Sequence, residues 1–306
     1  MSSSFSWNIP EILQGNPSVA NTFFEEMLAS HVSLANFEIA KKRCDFFDRE
    51  DLSPEDFQEL PISLSNKEKT LTGWAGIRFR NLDPNTPFVA CTLFQDPSQV
   101  LLDPALQTFL SQMLFEKFRA FEPHGFTLRS FLKAKDVQGD FDIWNTYLFR
   151  KLNESLVPKT TIKIEKTTQI KQLDYVRFEA QYQFWRLLNG ELSKWVMATS
   201  QEEFEDSIAA GLCYTAYNEQ KEWVGIVAGL PEDYYGYQGV STLELFVFPA
   251  YQGKGYGQAM QAAFQNELSK NYAVLWGSIY SKNEPSLKTA QVCKRQWVES
   301  EYFLPF

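Results

Sequence analysis

The residues best suited to chemistry lie at positions 247–257, where an apolar run passes into an amphipathic stretch. The joining loop has three glycines at alternate positions, Gly253, Gly255 and Gly257. Such a loop directs successive backbone N–H groups toward one point at the positive end of a helix dipole. That arrangement binds a phosphate or a pyrophosphate, so the ligand that carries the phosphate decides the function.

Two common phosphate-binding patterns do not fit this loop. A dinucleotide fingerprint needs Gly-x-Gly-x-x-Gly, but a match that begins at Gly253 ends at Gln258. A P-loop needs Gly-Lys followed by Ser or Thr, but Gly253-Lys254 is followed by Gly255. A turn that only reverses the chain is the plain alternative, and it would not need three glycines, since each one costs conformational entropy.

The elements that position the loop are predicted from hydrophobic periodicity. After a candidate linker at 156–159, the second half of the chain predicts the order β-α-α-β-β-β-α-β-α-β. These segments lie at residues 160–164, 174–188, 201–210, 212–217, 223–228, 242–248, 257–269, 272–280, 284–294 and 297–303. The glycine loop therefore follows the fourth strand of this half and precedes a helix.

This order, with Gln-Gly-x-Gly-x-Gly after the fourth strand, resembles the GNAT superfamily of acetyl-CoA-dependent N-acyltransferases over residues 160–306. The stretch Asn283-x-Pro285-Ser286-x-x-Thr289-Ala290, after the fifth strand, supports the resemblance. It implies an α/β fold with a mixed sheet and an N-acetyltransferase that moves an acyl group from acetyl-CoA to an amine by direct attack on the thioester. The alternative is a CoA-binding module for sensing or interaction, without catalysis.

The resemblance also implies a cofactor site. The main chain of Phe246 and Val247 would pair with the pantetheine arm, and Asn283 would contact that arm from the other side. Lys254 would add positive charge. The backbone amides that would cradle the CoA pyrophosphate belong to Gln252, Gly253, Lys254, Gly255, Tyr256 and Gly257.

Direct attack requires a base, because an ammonium ion has no lone pair with which to attack. Glu244, on the predicted fourth strand, is the candidate base, with its side chain opposite to those of Leu243 and Leu245. Glu232 and Asp233 in the preceding loop are rivals. An ordinary salt-bridged carboxylate at position 244 is the plain alternative.

The leaving thiolate takes up a proton, and many family members supply it from a tyrosine seven residues after the asparagine. That position is Ala290 here, a departure that leaves the acid open. Ser286 is the candidate acid, with Tyr280 as a further one. A helix cap at Ser286 is the alternative interpretation.

The acceptor is expected at the loop between the third and fourth strands, where Asp233, Tyr234 and Tyr235 are candidate substrate residues. Carboxylates and aromatic rings suit a cation. The expected partner is a small-molecule or protein amine. A plain exposed loop is the alternative, and the identity of the amine remains open.

We expect two domains. Residues 159–306 would form the GNAT domain, and residues 1–158, the first half, would form another α/β domain. A helix is clearest at 21–34. Strands around 73–77, 88–94, 126–132 and 141–149, with a helix at 104–121, echo the second half. The half is either a degenerate tandem GNAT-like copy or an unrelated accessory domain. It lacks the glycine loop, so it is not expected to bind the cofactor in the same way.

Composition narrows the class of protein. The formal net charge is −9 over 306 residues, with no basic cluster, so nucleic acid is not an expected partner. No run of about 20 apolar residues predicts a membrane span, and a cytoplasmic location is expected. Four dispersed cysteines and two histidines predict no metal site. The oligomeric state remains open.

Overall fold

The computed structural model describes residues 10–13, 19–47, 51–65, 70–170 and 173–306. The chain forms two compact units. One comprises Met1–Asn145 together with Glu299–Phe306, and the other comprises Thr146–Val298. Each unit packs helices against a mixed β-sheet, which confirms the predicted α/β fold class.

The first unit has helices before its first strand and between its third and fourth strands in the chain, and its strands form a mixed sheet. Antiparallel pairing joins β1 to β2, β2 to β3, and β4 to β11, whereas β3 and β4 are parallel. Its elements are α1 (Val19–Leu34), α2 (Phe37–Phe47), β1 (Leu60–Ser65), β2 (Thr70–Phe79), β3 (Pro87–Leu93), α3 (Ser98–Leu101), α4 (Pro104–Phe118), β4 (Gly125–Ser130) and, at the end of the chain, β11 (Gln296–Pro305).

A buried polar network lies within this first unit. The carboxylate of Glu59 accepts a hydrogen bond from Arg78 and lies 2.6 Å from Nδ1 of His31, whose Nε2 lies 2.8 Å from Oγ1 of Thr92. Burial alone would raise the pKa of Glu59, but the bond to His31 and the charge of Arg78 lower it overall. The network joins α1 to the strands, and its charges compensate one another, as buried charges must.

The second unit has the element order predicted for it. Antiparallel pairing joins β6 to β7, β7 to β8 and β8 to β9, and β9 and β10 are parallel. The strand β5 (Asp142–Lys151) lies beside β10. The remaining elements are β6 (Lys163–Lys166), α5 (Tyr175–Leu188), α6 (Gln201–Ala209), β7 (Cys213–Tyr217), β8 (Trp223–Pro231), β9 (Gly239–Val247), α7 (Tyr256–Leu268), β10 (Val274–Tyr280) and α8 (Glu284–Val292).

The two faces of the second unit's sheet bury separate clusters. Met260, Phe264 and Leu268 of α7 pack on one face with side chains such as Val224 and Leu275. The other face is aromatic and is covered by α5 and α6, with Phe178, Tyr182, Phe204, Phe246 and Phe248 among its members. The strand β9 contributes to both faces, since successive side chains of a strand alternate.

Part of the second unit's element order recurs in the first, although the described residues of the first unit have no strand that corresponds to β6 before their helices. Two helices precede three strands joined by antiparallel pairing, and a helix then leads to a fourth strand that is parallel to the third. The final strands are exchanged between the units. From Thr146 onward β5 belongs to the second unit, whereas from Glu299 onward β11 belongs to the first. The division into an N-terminal domain of residues 1–158 and a GNAT domain of residues 159–306 remains a prediction.

In the described part of the chain, no helix has both the length and the apolar character needed to cross a membrane.

Candidate functional site

The strands β9 and β10 separate partway along their length. Their parallel pairing runs from Gly239 and Val274 to Ser241 and Trp276, although β9 continues to Val247 and β10 to Tyr280. This leaves a gap between residues 242–247 of β9 and residues 277–280 of β10. Parallel strands that separate inside a sheet expose backbone groups to a ligand that can pair with them.

A buried arginine lies where the strands part. Nη2 of Arg295 donates to the carbonyl oxygens of Gly277 (3.0 Å) and Leu148 (3.1 Å), and Nη1 lies 3.4 Å from Oγ1 of Thr242. A Cβ on Gly277 would lie 3.0 Å from Arg295 and 3.2 Å from the Cβ of Thr242, so the glycine makes room for the guanidinium. Burial lowers the pKa of Arg295 to about 10.

The pattern of hydrogen bonds between β8 and β9 determines which backbone N–H groups of β9 face the gap. The N–H of Phe248 donates to the carbonyl oxygen of Val224 on β8 (2.9 Å), and regular antiparallel register continues back along β9. Alternate residues of an antiparallel pair bond to the partner, so Phe246 also faces β8. Leu245 and Val247 direct their N–H groups toward the gap. Of the two residues predicted to pair with pantetheine, Val247 fits this geometry better than Phe246.

The glycine loop adopts a backbone that requires glycine at two positions. Gly253 has φ 76° and Gly255 has φ 84°, both in the left-handed region. Side chains of the loop bond inward. Nε2 of Gln252 donates to the carbonyl oxygen of Val247 (2.9 Å), and Nζ of Lys254 donates to that of Ala250 (2.9 Å). The loop therefore turns sharply beside the end of β9.

The N-terminus of α7 differs from those of its neighbours. The helix begins at Tyr256, and its N-cap is Gly255, which has no side chain to accept a hydrogen bond from the first turn. Asp174, Ser200 and Asn283 cap the other α-helices in the described part of the second unit with side-chain acceptors. The first-turn N–H groups of α7 thus remain for an external anion.

Gly257, the second residue of α7, faces the end of β9 and α8. An ideal Cβ at Gly257 would lie 3.7 Å from Cγ2 of Val247 and 3.8 Å from Thr289 of α8, which is ordinary contact. Asn283 caps α8, because its Oδ1 accepts from the N–H of Ser286 (3.3 Å). Ser286 is partly buried in the first turn of α8, and the N-cap of this helix is Asn283 rather than Ser286. The interpretation of Ser286 as the cap is therefore excluded.

Glu244 lies two residues before Phe246 in unbroken register, on the aromatic face of the sheet, and a bulge brings Leu243 to the same face. The register of β8 and β9 shifts between Ala228 and Gly229, and Leu243 has no partner in it. Leu243 packs against the same cluster as Phe246, so the alternation predicted for Leu243 is wrong. Leu245 packs on the α7 face as expected. Bulges often redirect a side chain next to a functional site.

The carboxylate of Glu244 accepts two hydrogen bonds. Oε1 accepts from the N–H of Leu245 (3.0 Å), and Oε2 accepts from Oγ1 of Thr199 (3.2 Å). Burial raises the pKa of Glu244 to about 7, although the backbone and the hydroxyl of Thr199 and the backbone of Leu245 act in the opposite direction. A partly buried carboxylate with such a pKa can take up and release a proton near neutral pH.

The predicted substrate residues differ in exposure. Tyr234 and Tyr235 are buried, and the ring of Tyr234 stacks on Trp276 at 4.5 Å between centroids. Asp233 is exposed, and its Oδ1 accepts from the N–H of Gly239 (3.2 Å). The turn between Tyr234 and Tyr237 is tight, with backbone bonds of 3.0 Å in both directions. Asp233 is the one of these three that meets solvent.

Sequence reasoning missed Thr199 and Tyr182. Thr199 is buried directly before the capping box of α6, and Tyr182 of α5 lies close enough to Glu244 that its pKa is raised by that charge as well as by burial. The capping box at Ser200 and Glu203 marked the helix start, but no local pattern distinguishes the threonine before it. The charge of Glu203 also acts on Glu244.

Comparisons with known proteins agree with this geometry. Residues 178–293 match the family model of the GNAT acetyltransferases. None of the curated proteins compared with the chain matches it. A GNAT-family acetyltransferase from Colwellia psychrerythraea is 12% identical, with a TM-score of 0.51 over 80% of this chain and 84% of that protein.

Two further solved structures resemble most of the chain. A GCN5-related N-acetyltransferase from Sphaerobacter thermophilus is 14% identical, with a TM-score of 0.49 over 90% of each chain. A tandem GNAT protein from the clavulanic acid biosynthesis pathway is 10% identical, with a TM-score of 0.44 over 94% of this chain and 96% of its own. The segment that matches the GNAT acetyltransferase family model begins in α5 and contains β9, the glycine loop and the start of α8, which form the candidate site.

Proposed function

We propose that the protein is an acyl-CoA-dependent N-acyltransferase that uses acetyl-CoA and transfers the acyl group to an amine. The observation that carries this proposal is the uncapped N-terminus of α7 beside the gap between β9 and β10. A pyrophosphate at the helix start and an extended arm in the gap together match the shape of a CoA thioester.

The residues assigned to the acyl donor, acetyl-CoA, are the following. Val247 would pair its N–H with the pantetheine arm, and Asn283, at the start of α8, remains the proposed contact from the other side. The loop amides from Gln252 to Gly257 would bind the pyrophosphate. Lys254 bonds to the loop itself, so we assign it the role of adding positive charge near the phosphates.

The chemistry follows from Glu244. Bound acetyl-CoA supplies an acyl thioester. The Glu244 carboxylate takes a proton from the acceptor ammonium, directly or through one water, and the neutral nitrogen attacks the carbonyl carbon. The C–N bond would form as the C–S bond breaks with its electron pair on sulfur, and the nitrogen would release its remaining extra proton to solvent, from which the group that protonates the thiolate is reprotonated. Ser286 is the proposed donor of the proton that the thiolate takes up. On the acceptor side, Asp233 is the proposed charged contact.

A titration calorimetry experiment with acetyl-CoA tests the donor site. We expect wild-type protein to bind one acetyl-CoA and Gly257→Leu to bind at least about tenfold more weakly, because the new side chain fills the space beside Val247 and Thr289. Gly190→Ala is the matched control, since nothing lies within 4 Å of an added Cβ there. Equal affinity of wild type and Gly257→Leu would contradict the proposed pocket.

A thiol-release screen over amines tests the transfer itself. The buried Ala290 occupies the position at which the family commonly has a tyrosine, and this favours the second candidate function, a CoA-binding module without catalysis. Binding of acetyl-CoA without amine-dependent thiol release from small amines, polyamines or peptides would support that second candidate. Release that depends on the amine and on Glu244 would support the enzyme.

A further inference from the structure

A side chain from outside β9 bonds to the Glu244 carboxylate. Oγ1 of Thr199 lies 3.2 Å from Oε2. The other donor, the N–H of Leu245, belongs to the strand that carries Glu244. Thr199 is thus the residue outside β9 that determines the direction of the carboxylate.

The segment that carries Thr199 is itself held by α5. The hydroxyl of Tyr182 donates to the carbonyl oxygen of Met197 (2.9 Å), and the hydroxyl of Tyr175 donates to that of Thr199 (3.2 Å). Thr199 is 5% exposed and directly precedes Ser200, the N-cap of α6. These bonds hold the backbone at Met197 and at Thr199 itself, so the threonine hydroxyl is preorganised toward Glu244.

The charged and titratable groups that face Glu244 do not replace these donors. Glu203 of α6 is an anion, and Tyr182 of α5 donates its hydroxyl proton to Met197. The N-terminus of α6 already receives the carboxylate of Glu203, which accepts from the N–H of Ser200 (2.7 Å). Stabilisation of the ionised Glu244 therefore comes from its hydrogen bonds to the Thr199 hydroxyl and to the N–H of Leu245.

We propose that Thr199 is a positioning residue for the acyl transfer, whose hydroxyl holds the Glu244 carboxylate at the gap between β9 and β10. The inference rests on the proposed function in so far as Glu244 is the base. Thr199 itself touches neither the acyl group nor the acceptor in this role. Its hydroxyl keeps the base ionised and directed toward the gap, where the N–H of Leu245 also points.

The test compares Thr199→Val with Thr199→Ser in two measurements. The first is a carbon-13 NMR titration of glutamate-labelled protein, in which the Glu244 carboxyl signal is the one that Glu244→Gln removes. The second is the pH profile of kcat/KM in the thiol-release assay. We expect Thr199→Val to move the Glu244 midpoint and the acidic limb of the profile upward by about one pH unit, because a hydrogen bond to the charged form is lost. Thr199→Ser should restore both.

The control is Thr215→Val, which removes another buried hydroxyl of the second unit, one that bonds to the carbonyl oxygen of Glu165 (3.4 Å). It should leave the Glu244 titration unchanged. An unchanged midpoint in Thr199→Val would overturn the inference, as would an equal shift in Thr215→Val. Failure of the proposed function would look different, since wild-type protein would then release no thiol while the NMR titration still reported the effect of Thr199.

Discussion

Replacing Glu244 by glutamine should change how the stability of the protein depends on pH. Burial raises the pKa of this carboxyl from 4.5 to about 7 in the folded chain, whereas an unfolded chain restores the ordinary value. Between those two values the folded state binds a proton that the unfolded state has released. The wild-type protein therefore loses stability as pH rises through this range, and Glu244→Gln, which cannot ionise, does not.

The structure bounds the size of this effect. One pKa unit corresponds to about 1.4 kcal/mol, so the full shift would cost the ionised folded state about 3 kcal/mol. The side chain is only partly buried by its surface exposure, and water then screens part of the penalty. We expect the free energy of unfolding of Glu244→Gln, relative to wild type, to increase by about 2 kcal/mol from pH 5 to pH 8.

Denaturant unfolding at pH 5 and pH 8 measures this difference. Comparing the two proteins at each pH cancels the titration of all other groups, so no absolute stability is needed. Glu219→Gln is the control, because Glu219 is exposed in the turn between β7 and β8, and its difference from wild type should not change with pH. If the Glu244→Gln difference were equal at both pH values, the assignment of a buried, proton-binding carboxylate would be refuted, and with it the case for Glu244 as a base.

Two further predictions concern the acid and the exchanged strand. Ser286→Ala should lower kcat for thiol release about tenfold or more and leave acetyl-CoA affinity unchanged, because the hydroxyl acts only on the leaving thiolate. Stopped-flow thiol detection and calorimetry measure the two quantities. A fragment of residues 159–306 lacks β5, which lies beside β10, so it should lose the cooperative thermal transition that circular dichroism detects in a fragment of residues 142–306.

Each of these has an outcome that would contradict it. Equal kcat in Ser286→Ala and wild type would exclude the serine as the acid and return attention to Tyr280. A sharp, reversible transition in the shorter fragment, at the same temperature as in the longer one, would show that β5 is not needed to complete the second sheet.

The sequence predicted the elements of the second unit because their signals are local. Alternating apolar residues marked β8, helical spacing marked α7, and the three glycines marked the turn between β9 and α7. Each signal depends on neighbours a few residues away, and the structure has each element within a few residues of its predicted bounds. The first unit gave the same kind of signal for β2, β3, α4 and β4, but β1 (Leu60–Ser65) was missed.

Strand partners could not be predicted in this way. The periodicity at 297–303 indicates a strand equally well whether it pairs with β10 or with β4, and the structure pairs it with β4. The same holds for β5, which lies beside β10. Pairing is decided by contacts between residues more than 100 positions apart, which a local pattern does not contain.

The site shows the same division between local and distant information. The glycine loop could be recognised from its spacing, whereas the face of Leu243 depends on a bulge opposite Ala228 and Gly229, and the direction of the Glu244 carboxylate depends on a hydroxyl from a loop 45 residues earlier. Tyr234 and Tyr235 have the composition of a cation site, yet both are buried. Their burial follows from a tight turn that packs the ring of Tyr234 on Trp276.

The two units differ at the helix start that corresponds to the proposed phosphate site. In each, a helix follows the third antiparallel strand and leads to a parallel one. The start of α4 is capped by Asp103, whose carboxylate accepts from the N–H groups of Ala105 (3.0 Å) and Leu106 (3.3 Å). A pyrophosphate there would have to displace an anion and then meet its repulsion, whereas at α7 Gly255 leaves the same groups open. The difference between a carboxylate and a hydrogen atom at the N-cap thus separates a helix whose first-turn N–H groups are bonded from one that leaves them for the proposed CoA pyrophosphate.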